Sequence, residues 1–176
     1  MNLPNWISAA RIGLVPVFLL LAYAGGRGPE IAALVVFVAA SVSDFVDGYL
    51  ARRNGVVSRL GQSLDPIADK LLVAAALVVL VDLHPFPLWA ALVIAAREAA
   101  VSWLRARVVR AGASLPASMI AKAKTVVQMT MVGWWLLPWG EVNPGHWVLL
   151  GLVLFVTLWS GVEYFRRAME VQEVAL

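Results

Sequence analysis

Apolar residues run through this chain in long stretches broken by short clusters of turn formers, and each stretch is long enough to cross a lipid bilayer. A hydrocarbon core about 30 Å thick takes roughly 20 helical residues. Six segments meet that length, at about residues 3–24, 30–52, 61–81, 87–109, 116–137 and 144–165. Between them lie Gly25-Gly26-Arg27-Gly28-Pro29, Arg53-Asn54-Gly55, Asp82-Leu83-His84-Pro85-Phe86, Ala111-Gly112-Ala113-Ser114 and Trp139-Gly140-Glu141-Val142-Asn143, all rich in helix breakers. The pattern predicts an all-α integral membrane protein of six transmembrane helices. No linker is long enough to separate domains, so residues 1–176 are expected to form one membrane domain. Arg11, the apolar stretch 12–21 and Ala22-Tyr23-Ala24 imitate a secretory signal. Residues 1–10 hold no basic side chain, however, and the first span is expected to be retained.

Composition strengthens this picture and narrows the chemistry. Of the 176 residues 61% are apolar and only 14% charged, with a mean hydropathy of +0.82, well outside the balance of a water-soluble fold. The absence of Cys excludes disulfides, thiol catalysis and a Cys zinc site, and two isolated His leave metal binding to oxygen ligands. In so apolar a chain a net charge of +3 is expected to face anionic lipid and set topology, not to bind nucleic acid. When alternate loops are placed on opposite sides, Arg27 is the one residue of the 14 Lys and Arg that falls away from the termini. Both termini are therefore expected to be cytoplasmic. Trp134, Trp135, Trp139 and Trp147 then gather at the outer side, where an aromatic belt is expected.

Charges inside the spans mark a site. Only the sixth span has a long uncharged stretch, 144–162, and an ionisable group in a bilayer costs several kcal/mol unless it faces a polar interior. Four of the 11 acids, Asp44, Asp47, Asp65 and Asp69, flank the second loop. At about 100° per residue, Asp44, Asp47, Gly48, Ala51 and Arg52 share one helical stripe, and Gly61, Asp65 and Asp69 share another. A short loop makes these helices antiparallel neighbours, so four carboxylates converge at the cytoplasmic side. Arg52 and Lys70 are the local cations and do not balance them. Two divalent cations do, and an all-oxygen site suits Mg²⁺ or Mn²⁺. Such a pair suits phosphoryl transfer. Gly48 and Gly61 leave room for a ligand or a helix backbone, and Pro66 is expected to open or kink a helix beside the metals.

Written out, the segment is Asp44-x2-Asp47-Gly48-x2-Ala51-Arg52-x8-Gly61-x3-Asp65-x3-Asp69. It resembles, at all eight positions, the motif of the CDP-alcohol phosphotransferase family. The resemblance implies a six-helix membrane enzyme, often homodimeric, that transfers a phosphatidyl-type group from a CDP-linked lipid to an alcohol and releases CMP. It further implies that Asp44, Asp47, Asp65 and Asp69 hold the metals and that Asp69 is the base for the incoming hydroxyl. Asn5, Ser8, Asp47, Gly48, Ala51, Arg52 and Gly61 are the positions implied for CDP-lipid binding.

Three further stretches, 2–11, 65–70 and 122–128, together with Arg97-Glu98 and Arg105, are similar to one branch of the family. Its members join CDP-diacylglycerol to sn-glycerol 3-phosphate to form phosphatidylglycerophosphate, and the branch implies a bacterial plasma membrane. Ser8 stands where that branch more often has Thr, and Ala121 where it more often has Gly. Arg97, Arg105, Lys122 and Lys124 approach the cytoplasmic face from the fourth and fifth helices and, with Arg11, are expected to hold the acceptor's own phosphate. Three other readings stay open. The acceptor could instead be inositol phosphate, serine or phosphatidylglycerol, the carboxylates could line a divalent-cation or proton pathway, or the chain could be a non-enzymatic assembly subunit, which leaves the aspartates unexplained. The pathway is disfavoured because residues 31–40, leading outward from Asp44, carry no ionisable group.

Overall fold

The computed structural model describes the backbone of residues 3–54, 59–110 and 118–174, and the side chains of 10–43, 70–110 and 118–170. Six α-helices and no strand occur among the described residues: α1 (Leu3–Tyr23), α2 (Arg27–Asn54), α3 (Arg59–Leu83), α4 (Leu88–Arg110), α5 (Met119–Leu136) and α6 (Pro144–Val174). They follow the apolar stretches, with two informative differences. α6 runs nine residues past its expected end, from 165 to Val174. Hydropathy marks where a helix leaves apolar surroundings. Arg166-Arg167-Ala168-Met169-Glu170 has no breaker to stop the helix there, and Arg167 Nη2 pairs with Glu163 Oε1 one turn back, at 2.6 Å. The second difference is at Pro66, which lies inside α3 and does not open it. It removes the N–H that would reach the Gln62 carbonyl.

Local chemistry sets the breaks between helices. Gly25 and Gly26 take φ of 70° and 89° and Gly140 takes 77°, a left-handed backbone that glycine adopts without a Cβ clash. Ser118 caps α5: its Oγ accepts the Ala121 N–H at 3.1 Å, and its hydroxyl donates to Glu163 Oε2 on α6 at 3.1 Å.

The chain forms two compact units. The first comprises Met1–Pro85 with Val132–Glu141, and in it α1 packs against α2 and α3, while α2 and α3 touch more sparingly. The buried residues recur at helical spacing: Phe18 and Ala22 on α1, Ala33, Phe37 and Ala40 on α2, Leu72, Ala76 and Val79 on α3. The Phe18 and Phe37 rings meet at 6.0 Å between centroids. Trp135 joins this core at 2% exposed, which corrects its expected place in an outer belt. It follows Gln128 and Met131 on α5 at spacings of three and four, so it shares their buried face. Trp139 and Trp147 are exposed.

The second unit comprises Phe86–Met131 with Val142–Leu176 and is built on the contact of α4 with α6. Its buried positions mix apolar residues, such as Ala90, Ile94, Met131, Leu150 and Val153, with polar ones: Lys124 and Gln128 on α5, Thr157, Ser160 and Tyr164 on α6. The outward residues of α6, including Phe155, Leu158, Trp159, Val162 and Phe165, are apolar and more than half exposed. Among the described residues one helix, Pro144–Glu170, is long and apolar enough to cross a membrane.

These differences in burial should separate two substitutions. Phe37→Ala is expected to lower unfolding stability by about 3–5 kcal/mol by emptying a core site, whereas Phe155→Ala, at 63% exposed, should leave the thermal midpoint of the purified protein nearly unchanged. Ser118→Ala should cost about 1 kcal/mol and speed amide exchange in the first turn of α5.

Candidate active site

The eight motif positions fall on α2 and α3. Asp44, Asp47, Gly48, Ala51 and Arg52 occupy the final third of α2, and Gly61, Asp65 and Asp69 the first half of α3. Their side chains, like those of Asn5 and Ser8 on α1, lie outside the described residues. The helical register nonetheless places these positions. On α2 the buried residues Ala33, Phe37 and Ala40 step by four and three, and the same steps lead to Asp44 and Asp47. On α3 the steps back from Val79, Ala76 and Leu72 lead to Asp69 and Asp65. The four aspartates thus stand on the faces that build the core of the first unit, where those faces reach one end of their helices.

Arg11 belongs to the same arrangement. It lies seven residues before Phe18 on α1, on the same face, and is only 2% exposed. Asp44 lies seven residues beyond Phe37 on α2. Since Phe18 and Phe37 touch and consecutive helices joined by a tight turn run antiparallel, Arg11 and Asp44 share a level about 10 Å from the phenylalanine pair. A buried guanidinium thus stands at the height of the first aspartate position, and it carries a permanent positive charge.

The expected acceptor cations other than Arg11 fall in the second unit and behave differently from one another. Arg97 and Lys124 come together. Lys124 Nζ and Arg97 Nη1 both donate to Glu98 Oε1, the latter at 3.1 Å. The other arm of Arg97, Nη2, donates to Ser160 Oγ at 2.8 Å, and Ser160 in turn donates to the Thr157 carbonyl at 3.1 Å. Arg97 Nε is buried without a partner. Lys124, at 5% exposed, is an interior residue and does not extend to a lipid surface. Arg105 and Lys122 are exposed, and Arg107 lies over the Trp103 ring at 4.3 Å.

Ser160 and Thr157 are the members of this network that residue-by-residue reading passes over, because the sixth span looks clean. The signal was present as spacing: Thr157, Ser160 and Tyr164 step by three and four along an otherwise apolar helix. Gly161, beside Ser160, faces the Arg97 stem, and a Cβ there would meet Arg97 Cγ at an ordinary contact distance of 3.5 Å.

Residues 1–159 match the CDP-alcohol phosphatidyltransferase family. The chain is 40% identical to the CDP-diacylglycerol–glycerol-3-phosphate 3-phosphatidyltransferase of Bacillus subtilis, over 96% of each chain. It is 41% identical to the protein of that name from Pseudomonas fluorescens, over 96% of this chain and 90% of the other. A probable phosphatidylglycerophosphate synthase of Mycobacterium tuberculosis is 38% identical over 96% and 82%. Among solved structures, apo phosphatidylinositol phosphate synthase of Mycobacterium tuberculosis superposes with a TM-score of 0.67 at 18% identity, over 94% of this chain and 88% of that one, a likeness of fold. With the aspartate motif complete and the match spanning most of its length, this chain belongs to the CDP-alcohol phosphatidyltransferase family.

Proposed function

We propose that this protein transfers the phosphatidyl group of CDP-diacylglycerol to sn-glycerol 3-phosphate, giving phosphatidylglycerophosphate and CMP. The observation that carries this reading is the eight-position motif standing where the buried faces of α2 and α3 continue. Relatives that bear the name of this activity and align over 96% of the chain support the choice of acceptor.

The setting is a membrane. The chain forms a single membrane domain that crosses six times, keeps both termini on the cytoplasmic side of a bacterial plasma membrane and works as a homodimer. Leu20, Val35, Val78, Trp89, Leu92 and Val148 each expose more than half of their surface, and with the outward face of α6 they support an apolar surrounding medium. The cytoplasmic excess of Lys and Arg supports the orientation.

The residues present fit a pair of hard divalent cations: four carboxylates on two neighbouring helices, one buried guanidinium near them, and no sulfur ligand from Cys in the chain. Two Mg²⁺ or Mn²⁺, held by Asp44, Asp47, Asp65 and Asp69, would supply neutralisation of the donor's pyrophosphate and polarisation of the phosphorus under attack. Asn5, Ser8, Asp47, Gly48, Ala51, Arg52 and Gly61 hold the nucleotide end of the donor, the glycines by admitting the ligand close to the backbone. Arg97 and Lys124, with Arg105, Lys122 and Arg11, hold the phosphate of the acceptor. Asp69 takes the proton of the acceptor hydroxyl. That oxygen forms a bond to the phosphorus bearing diacylglycerol as the bond from this phosphorus to the CMP oxygen breaks. Positioning and charge neutralisation provide most of the acceleration.

Asp69→Asn and Asp65→Asn are expected to lower turnover by about 10³-fold or more with the helices intact. CMP release at saturating Mg²⁺ and circular dichroism check this, and near-normal turnover in both variants would refute it. Chelation by EDTA should abolish CMP release, and added Mg²⁺ or Mn²⁺ should restore it. Labelled CDP-diacylglycerol offered in turn with glycerol 3-phosphate, inositol phosphate, serine and phosphatidylglycerol should release CMP fastest with glycerol 3-phosphate. No release with that acceptor would defeat the reading.

A further inference from the structure

The acceptor's phosphate is a dianion near neutral pH, and a cluster built only to attract it has no evident use for a carboxylate at its centre. Glu98 is nonetheless there, taking hydrogen bonds from both Arg97 Nη1 and Lys124 Nζ on the single oxygen Oε1. All three side chains are largely withdrawn from water, at 11% exposed for Arg97, 6% for Lys124 and 25% for Glu98. Two cations this close and this dry repel each other strongly, and each would lower its energy by turning away. One carboxylate between them removes that tendency and still leaves the trio with a net charge of +1. The Arg97 plane is fixed from its other side by Ser160 on α6, and its Nε–H remains buried with no partner. A pair of largely buried cations with an unused buried donor is prepared for an anion.

We infer that Glu98 is a positioning residue for the acceptor site: by holding Lys124 and Arg97 at one oxygen, it keeps both cations oriented for the phosphate of the incoming alcohol. This rests on the reading of Arg97 and Lys124 as the acceptor-phosphate clamp. Glu98 itself touches neither substrate. Its effect should therefore appear in the KM for the phosphorylated acceptor and be absent from the KM for the CDP-linked donor.

The test measures both KM values, kcat and the thermal midpoint for the purified full-length wild type and for E98Q, E98D and K124M. E98Q is expected to raise the KM for glycerol 3-phosphate about tenfold, the scale of one charge-assisted hydrogen bond, with the KM for CDP-diacylglycerol within about twofold. E98D, which keeps the charge on a shorter stem, should fall between E98Q and wild type. Inorganic phosphate, competing with the acceptor, should inhibit E98Q more weakly by the same factor. Should E98Q fail to fold, E98D alone must show the rise confined to the acceptor. Equal rises in both KM values, or no rescue by E98D, would make Glu98 merely structural and overturn the inference. A lower acceptor KM in E98Q would also overturn it, by showing that the carboxylate competes with the phosphate. If K124M leaves the acceptor KM unchanged, the clamp reading beneath the inference is what fails.

Discussion

A charged side chain on the buried face of an apolar helix is tolerable only where another charge or a strong hydrogen-bond partner meets it, and this requirement organises both units. In the first, the faces that pack Phe18 against Phe37 and bury Leu72, Ala76 and Val79 run directly into Arg11 and the positions of the four aspartates. The packing that makes the bundle and the placement of the acidic cluster follow from the same stripes, so neither can slip by a residue without disturbing the other. In the second, hydrogen bonds join Lys124, Arg97, Glu98 and Ser160 across three helices.

The distribution of polarity follows from the same requirement. α6 is apolar on its exposed side and carries Thr157, Ser160 and Tyr164 on its buried side, the reverse of an amphipathic helix in water. Such an inversion is stable when the surrounding medium is itself apolar, since outward leucine and tryptophan then cost nothing and inward hydroxyls find partners. The polar interior of the second unit reaches Glu163 and Arg167 at the cytoplasmic end expected for α6. A phosphorylated, water-soluble acceptor would arrive from that end.

Much of this was legible in the order of residues alone. Apolar run length predicted six helices because backbone hydrogen bonding inside such a run leaves little alternative, and breaker clusters marked the described breaks before α2, α4 and α6. The motif was legible because eight positions at fixed spacing define two stripes on two helices. Legibility stopped where partners come from distant segments. Trp135 looked like its neighbours Trp134 and Trp139 but turns inward, since its place on α5 relative to Gln128 and Met131 decides its face. Glu98 beside Arg97 marked that cation for a buried polar network, but nothing in sequence separated Lys124, which shares the carboxylate, from Arg105 and Lys122, which are exposed.

Sequence alone therefore determined the helices, the absence of cysteine chemistry and the residues of the acidic cluster, because run length, composition and helical period are local properties. Tertiary structure decided which cations are interior, that Arg11 lies level with Asp44, and that Ser160 on an outwardly apolar helix completes the Arg97 network. Those outcomes depend on which helix faces meet, and residues 63 positions apart along the chain, such as Arg97 and Ser160, carry no local mark of the contact they make.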